Sequence, residues 1–299
     1  MDTYLKYNDK ILKFDDKILK KSEEEITHEG TFLQKWVNSS GYQRPNIGYA
    51  IFVDKSHNDD VFCGGVFSGK YDDISIGGVI KFKNTGVLDT SFNTLWPFSD
   101  TYAFKICMDY SVNKLVVGGN LANRVIYKID PITGANYSSF NQSAYRATPL
   151  NDVVMDSNGN VYACGGSDEH WILTPTGTSI PPWGSAIFNG ASKTSSALPG
   201  LEPSTHYIGG NWTSFRGESW PYFLKSTYDA SIIKSFASQT LVNGPVEHII
   251  YDNSNNLLLC GQFTTVGGQS TNRIVKLLDG STGRDTSFDV SVGFKGTVS

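Results

Sequence analysis

A short polar run closing on phenylalanine occurs five times along the chain: DTSF at Phe92, YSSF at Phe140, SAIF at Phe188, IKSF at Phe236 and DTSF at Phe288. The intervals are 48, 48, 48 and 52 residues. A second landmark keeps step with the first, a glycine after an apolar strand, at Gly65, Gly119, Gly166, Gly210 and Gly261. A period of this length restricts the chain to repeat architectures, in which each unit buries its apolar face against its neighbours. Within the units the pattern is that of strands. IGYAIFVD, YAFKICMD, LNDVVMD and VEHIIYD end on Asp54, Asp109, Asp156 and Asp252, and each Asp opens a polar turn. An Asp there is explained by its side chain, which hydrogen-bonds the backbone two residues on.

After each turn a second strand runs to the glycine landmark, and a third follows (GGVIKF, RVIYKI, WILT, PYFLK, RIVKL). A further turn, such as KNTG or DPITG, leads to a short fourth segment ending in the phenylalanine. Four short strands in about 48 residues, repeated, is the pattern of a β-propeller blade. The expected fold class is therefore all-β, a five-bladed β-propeller of four-stranded blades over residues 45–299, preceded by a short N-terminal repeat segment. The fourth unit lacks the Asp turn, with KTSSALPGLEPSTHYIGG in its place, so its first strand is left open. The closing GFKGTVS reads like the opening of another repeat. Either a terminal strand completes a blade and closes the ring, or the natural chain continues.

The runs CGGVFSGKYDDISIGGVIKFKNTGVLDTSFN and CGQFTTVGGQSTNRIVKLLDGSTGRDTSFD carry a resemblance to a known family. A G-G-x-F strand end alternating with a D-T-S-F closing run resembles the delta-60 repeat β-propeller family. The resemblance covers about four-fifths of the chain; it is close in the first and fifth units and weaker in the third and fourth.

Residues 1–22 are a different module of period seven: DTYLKYN, DKILKFD and DKILKKS. Tyr4, Tyr7, Ile11, Phe14 and Ile18 fall at alternating steps of three and four, the spacing of a short coiled coil. Against a helix stand Asn8-Asp9 and Asp15-Asp16, which weaken a helix interior and suit two-residue turns between five-residue strands. Hairpins or arcs are the preferred form, with the coiled coil kept open. Three seven-residue units bury no core alone, so the segment should dock, pair an edge or oligomerise, and these five apolar residues are the candidate anchor. Ser22 and Glu25 form a possible capping box, which predicts a short helix through SEEEITHE before Gly30. Residues 23–44 read as a connector. The leader is similar to those of virion proteins in tailed phages of gut Bacteroidetes, including crAss-like phages. That similarity implies a structural protein of the virion, tail or tail-fibre associated, with the leader as its anchor.

Composition agrees with strands and turns: 30 glycines and 13% aromatic residues favour them over a helical bundle. The charge of −4 gathers no nucleic acid, and residues 1–44 balance eight basic against eight acidic side chains. No apolar run approaches the roughly 20 residues of a membrane span. MDTYLKYNDK lacks an apolar signal core, so synthesis in the host cytoplasm without a signal peptide, and residence in the virion, are expected. Cys63, Cys107, Cys164 and Cys260 form no CxxC pair and read as buried small residues.

A propeller glycosidase needs carboxylates close together on the first strands. Four residues before the turn Asp lie Ala50, Lys105, Asp152 and His248; five before lie Tyr49, Phe104, Asn151 and Glu247. Only Asp152 and Glu247 are acids, and they are one residue out of register. No His pair, calcium loop or phosphate cradle is present in the sequence. The chain is therefore read as non-enzymatic, with no catalytic residue, cofactor or metal. Trp212 aligns with Phe67 and Phe263 and reads as core, and Trp171 and Trp220 as packing on third strands. Trp96 and Trp183 have no place in the repeat and are the candidate surface contacts. The expected partners are other virion proteins of tail or collar, a host surface glycan or protein, and further copies of the chain. A carbohydrate-binding propeller of cellular origin is the alternative, and a glycoside hydrolase comes third.

Overall fold

The computed structural model describes residues 4–7, 10–13, 20–21, 24–25, 47–67, 70–71, 74–95, 102–121, 124–140, 150–165, 170–183, 188–189, 193–278 and 283–288. The leader holds two strand pairs. Strands β1 (Tyr4–Tyr7) and β2 (Lys10–Lys13) are antiparallel, with Tyr4 opposite Lys13 and Tyr7 opposite Lys10. This is the hairpin form, with four-residue strands. Strand β3 (Lys20–Lys21) pairs with β4 (Glu24–Glu25). That corrects the expected helix: Glu24 lies opposite Lys21 and Glu25 opposite Lys20 in an antiparallel pair. Phe14 and Ile18 lie outside the described residues, as does most of the connector.

Five antiparallel three-stranded units follow. The first is β5 (Ile47–Asp54), β6 (Asp60–Val66) and β9 (Val79–Phe82), with a small hairpin, β7 (Lys70–Tyr71) and β8 (Ile74–Ser75), inserted. Helix α1 (Thr90–Leu95) comes next. The second unit is β10 (Tyr102–Asp109), β11 (Lys114–Leu121) and β12 (Arg124–Ile129). One residue pair, Tyr102 with Val66, joins it to the first. The third is β13 (Leu150–Met155), β14 (Val161–Gly165) and β15 (His170–Leu173). The fourth is β16 (Lys193–Pro199), β17 (Thr205–Asn211) and β18 (Phe223–Thr227), followed by helix α2 (Lys234–Gln239). The fifth is β19 (Val246–Tyr251), β20 (Leu257–Gly261) and β23 (Ile274–Leu277), with a hairpin of β21 (Thr265–Val266) and β22 (Gln269–Ser270). Strand β16 supplies the first strand that the sequence left open.

The first turn of every unit contains a residue in the left-handed region: Asn58, Asn113, Gly159, Ser204 and Asn255. Only short polar residues or glycine enter that region at low cost, which accounts for the Asn and Gly in these turns. The Asp residues bond as expected, since Ser56 N, Ser111 N, Asn158 N and Ser254 N donate to Asp54, Asp109, Asp156 and Asp252 at 2.8–3.0 Å.

The expected fourth strand is not a strand among the described residues. In its place each unit has a single bridge: Phe82–Leu88, Ile129–Asn136, Leu173–Ser179, Ser226–Ile232 and Leu277–Arg284. After it, the Ser of the DTSF run bonds back to its Asp, Ser91 Oγ to Asp89 at 2.7 Å and Ser287 Oγ to Asp285 at 2.6 Å. A side chain that satisfies the backbone and its neighbour locally competes with a strand ladder. The recurring phenylalanine instead plugs the core, with Phe92, Phe140, Phe188 and Phe236 all buried.

The apolar core lies between units. Phe62, Val79 and Phe92 of the first pack on Met108, Val117 and Tyr127 of the second. The second and third meet through Val116, Ile126 and Phe140 against Val153, Val161 and Leu173. Corresponding clusters join the third to the fourth and the fourth to the fifth. Glycine is needed where the first strand of the following unit comes close. A Cβ at Gly64 would stand 3.1 Å from Ala103 Cβ and Ile106 Cδ1, and one at Gly209 2.7 Å from Val246 Cγ1. These close-packed glycines stand one residue before the landmark glycines Gly65 and Gly210, at a register where the third and fifth units carry Cys164 and Cys260. Phe67, Trp212 and Phe263 are buried as expected, and all four cysteines are free. Trp220 falls in the loop before β18 rather than on the strand.

Candidate functional site

The first strand of each unit packs beside the first strand of the next, and all five break register at the same place. The shifts fall between Gly48 and Ala50, Ala103 and Lys105, Leu150 and Asp152, Thr194 and Ser196, and Val246 and His248. Each is a β-bulge with one extra residue: Tyr49, Phe104, Asn151, Ser195 or Glu247. A bulge leaves its extra residue out of the ladder, so five of them at one register make a line of positions outside the strand pairing. Tyr49 is 49% exposed and meets Phe104 edge to face at 4.9 Å. Asn151 is exposed, and Glu247 accepts a hydrogen bond from Gln262 Nε2 at 3.0 Å.

The next residue along three of the strands, Lys105, Asp152 and Ser196, builds a polar chain that ends on the Ile249 amide of the fifth unit. Lys105 Nζ lies 3.5 Å from Asp152 Oδ1. Ser196 Oγ donates to Asp152 Oδ2 at 3.0 Å, and the Ile249 amide donates to Ser196 Oγ at 3.2 Å. Asp152 is buried and also accepts from the Val153 amide at 3.0 Å. Its carboxylate is thus committed to fixing neighbouring units. Asp152 sits one residue past the bulge and Glu247 on it, and they hold different partners. Among the described residues no group of three or more His, Cys, Asp or Glu is placed to hold a metal ion.

Trp183 does not serve as a surface contact. It is 3% exposed, packs between the third and fourth units, and donates Nε1–H to the Tyr228 carbonyl at 2.6 Å. An indole that bridges two units needs no counterpart in the other joints, so the repeat pattern could not assign it. Trp96 lies outside the described residues. Tyr4, Tyr7 and Ile11 fall on the β1–β2 hairpin, Tyr4 and Tyr7 on one strand and Ile11 opposite Lys6.

A second set was missed in the sequence although its signal is there. The third strands of four units carry a lysine at one register: Lys81, Lys128, Lys225 and Lys276. Lys81 pairs with Asp60 at 2.9 Å and Asp89 at 3.2 Å, and Lys276 with Asp252 at 2.9 Å and Asp285 at 3.5 Å. Lys225 pairs with Glu202, which replaces the missing turn Asp of the fourth unit. Lys128 is fully buried, lies 2.6 Å from Asp109, and reaches into the third unit to the Pro175 carbonyl at 3.2 Å. Burial raises the Asp109 carboxyl, but the hydrogen bonds from Lys128 and Ser111 outweigh it and hold it below the usual range. In the third unit Ile172 takes the lysine register, and Asp156 is partnered by Asn160 and Tyr228 instead, each at 2.8 Å.

No family model matches the sequence, and no curated protein matches it. Solved structures do match. The chain is similar to the β-propeller domain of Cps50 (Swd1) from Myceliophteria thermophila, with a TM-score of 0.50 and 10% identity over 79% of this chain and 66% of that one. It is also similar to the GH74 xyloglucanase from Xanthomonas campestris, with a TM-score of 0.50 and 13% identity over 77% of this chain and 36% of that one. An extracellular domain from B. thetaiotaomicron matches with a TM-score of 0.51 and 10% identity over 79% of this chain and 27% of that one. The chain spans about a third of the length of most of these solved chains. At such identity the likeness concerns fold alone: an all-β repeat architecture of the β-propeller class.

Proposed function

We propose that this chain is a non-enzymatic structural protein of a tailed-phage virion, associated with the tail or tail fibre. In this reading the five units are five blades of a propeller of the delta-60 repeat kind. They present an interaction surface, and residues 1–22 attach it to another virion protein. The observation that carries the reading is the leader: its seven-residue repeat forms a two-stranded sheet of its own, β1 with β2. A lone pair of four-residue strands is not stable by itself and is completed by adding to a partner's strands or surface. The line of bulges supports an interaction role for the propeller, because its five positions carry five different residues on a uniform scaffold. Deleting residues 1–22 should abolish incorporation into particles while the propeller still folds. Normal copy number in particles made with the truncated chain would remove the leader from this role.

A second reading, binding of a surface glycan, is favoured by the exposed Tyr49 ring beside Phe104, since flat aromatic faces stack on sugars. Purified protein should then retain polysaccharide without releasing sugars, and Tyr49→Ala should weaken retention. Sugar release that disappears in Asp152→Asn or Glu247→Gln would instead establish a hydrolase.

A further inference from the structure

The third and fourth units are separate three-stranded sheets, so side chains rather than strand pairs hold their joint. The joint is largely aromatic, with Tyr162, Trp183, Phe188, Trp212 and Phe215 buried in one cluster. A histidine from each sheet stands among them, His170 on β15 and His206 on β17, both 0% exposed. Their rings stack 5.2 Å apart, and Trp183 meets each of them edge to face. Among the described residues their four ring nitrogens have no hydrogen-bond partner. Buried polar atoms are seldom left so, and a charge placed on one would be costlier still.

The surroundings hold no acceptor for that charge. Strand β14 brings Tyr162 to His206 and places Cys164 opposite His170. Strand β18 places Ser226 opposite His206, β16 places Pro199 there, and Tyr228 stands 6.5 Å away. The Asp156 carboxylate, on which both tyrosine hydroxyls end, is already bonded by them and by Asn160. Arg216, next to Phe215, is itself a cation and donates to the Asp229 and Ala230 carbonyls. The other joints are built differently. Between the first and second units His57 has partners on both ring nitrogens, Asp54 at 2.6 Å and Asn113 at 3.2 Å. Between the second and third, the buried Lys128 is paired with Asp109. Between the fourth and fifth, the titratable members of the core are Tyr207 and Tyr251, which are neutral in acid.

We propose that the joint between the third and fourth units is an acid-operated switch: a proton taken up by His170 or His206 parts these two units while the other joints hold, and return to neutral pH closes it. Two stacked rings cannot both be charged at this separation, and one charged ring in an aromatic box has no acceptor. Opening returns both to water and uncovers an apolar face that carries Trp183 and Trp212. Burial holds His170 neutral down to about 3, from an ordinary 6.5. The open form therefore binds protons that the closed form refuses, and opening gains as pH falls through 6.5. At pH 5 His170 alone favours it about 30-fold. The inference stands on this joint and does not depend on the virion or the glycan reading.

The cysteines report each joint separately. Cys164 is buried in the cluster between the third and fourth units, and Cys107 packs on the cluster between the second and third. Reaction of the full chain with 4,4′-dithiodipyridine, which attacks thiols in acid as well as at neutral pH, is followed at each cysteine by mass spectrometry. Each rate is divided by that of the urea-unfolded chain at the same pH. From pH 8 to pH 5 the ratio for Cys164 should rise about 30-fold or more, and that for Cys107 far less. In the His170→Leu/His206→Leu variant the rise at Cys164 should disappear, and wild type returned to pH 8 should regain its protection. Cys164 gaining no more than Cys107 overturns the proposal, and this comparison within the wild type stands even if the variant fails to fold. A rise that persists in a folded variant, or protection that does not return, overturns it as well.

Discussion

Acid should loosen the joint between the third and fourth units before it disturbs the rest of the molecule. His170 on β15 and His206 on β17 face each other there, fully buried, with rings stacked 5.2 Å apart and 5° from parallel. Trp183 closes on both, at 4.8 and 4.6 Å, and Tyr162 stands 5.6 Å from His206. Among the described residues none of the four ring nitrogens has a hydrogen-bond partner. Burial holds His170 neutral down to about 3, from an ordinary 6.5. His206 is lowered well below its usual value by burial and by the nearby His170. Between those limits the unfolded chain binds protons that the folded chain refuses. Stability is therefore flat above pH 6.5 and falls as pH drops below it. At pH 5, one and a half units below 6.5, His170 alone costs about 2 kcal/mol, and His206 adds in the same direction. The carboxylates held low, Asp54, Asp109 and Asp252, titrate from an ordinary value of 3.8, so their loss begins below this window. Urea unfolding of the wild type should weaken by at least about 2 kcal/mol between pH 8 and pH 5. The double variant His170→Leu/His206→Leu should lose much less over the same range. It should be no less stable at pH 8, because two unpaired polar rings give way to apolar groups of similar size. Parallel pH curves for the two proteins would refute the reasoning.

The buried lysines separate structural from peripheral ion pairs. Lys128→Ile leaves Asp109 charged and unpaired in the interior and should cost about 3–5 kcal/mol. Adding Asp109→Asn should recover a substantial part of it in the same urea assay, since Ile172 already occupies that register where the Asp is otherwise partnered. Lys276→Met, in a pair whose two side chains are each 22% exposed, should cost clearly less. Gly209→Ala brings a Cβ to 2.7 Å from Val246 Cγ1 and should cost about 1–3 kcal/mol by overpacking, lowering the melting temperature by several degrees. Gly48→Ala, with open space around it, should leave the melting temperature of the single chain unchanged.

Much of the architecture was legible because strands and turns write themselves locally. The alternation in IGYAIFVD and YAFKICMD, and the Asp that bonds an amide two residues on, need no knowledge of distant residues. The recurring phenylalanine was read correctly as a landmark and wrongly as the end of a strand. DTSF satisfies itself through Ser91 on Asp89, a local bond that competes with strand pairing. Features that need two units at once were out of reach. His170 and His206 lie 36 residues apart and meet only through the joint between units. Trp183 sits in an irregular segment, and its burial follows from a carbonyl on the neighbouring unit. The lysines lay between these cases. Their recurrence in VIKF, VIYKI, FLKS and IVKL was visible, but their acids lie on other strands and turns.

The bulges bear on how such a protein can change. Tyr49, Phe104, Asn151, Ser195 and Glu247 stand outside the strand ladder of their units, so replacing any of them leaves ladder pairing in place. Selection can therefore revise this line of positions one at a time without renegotiating the fold, and a designer can randomise the same five positions as a library on a fixed frame.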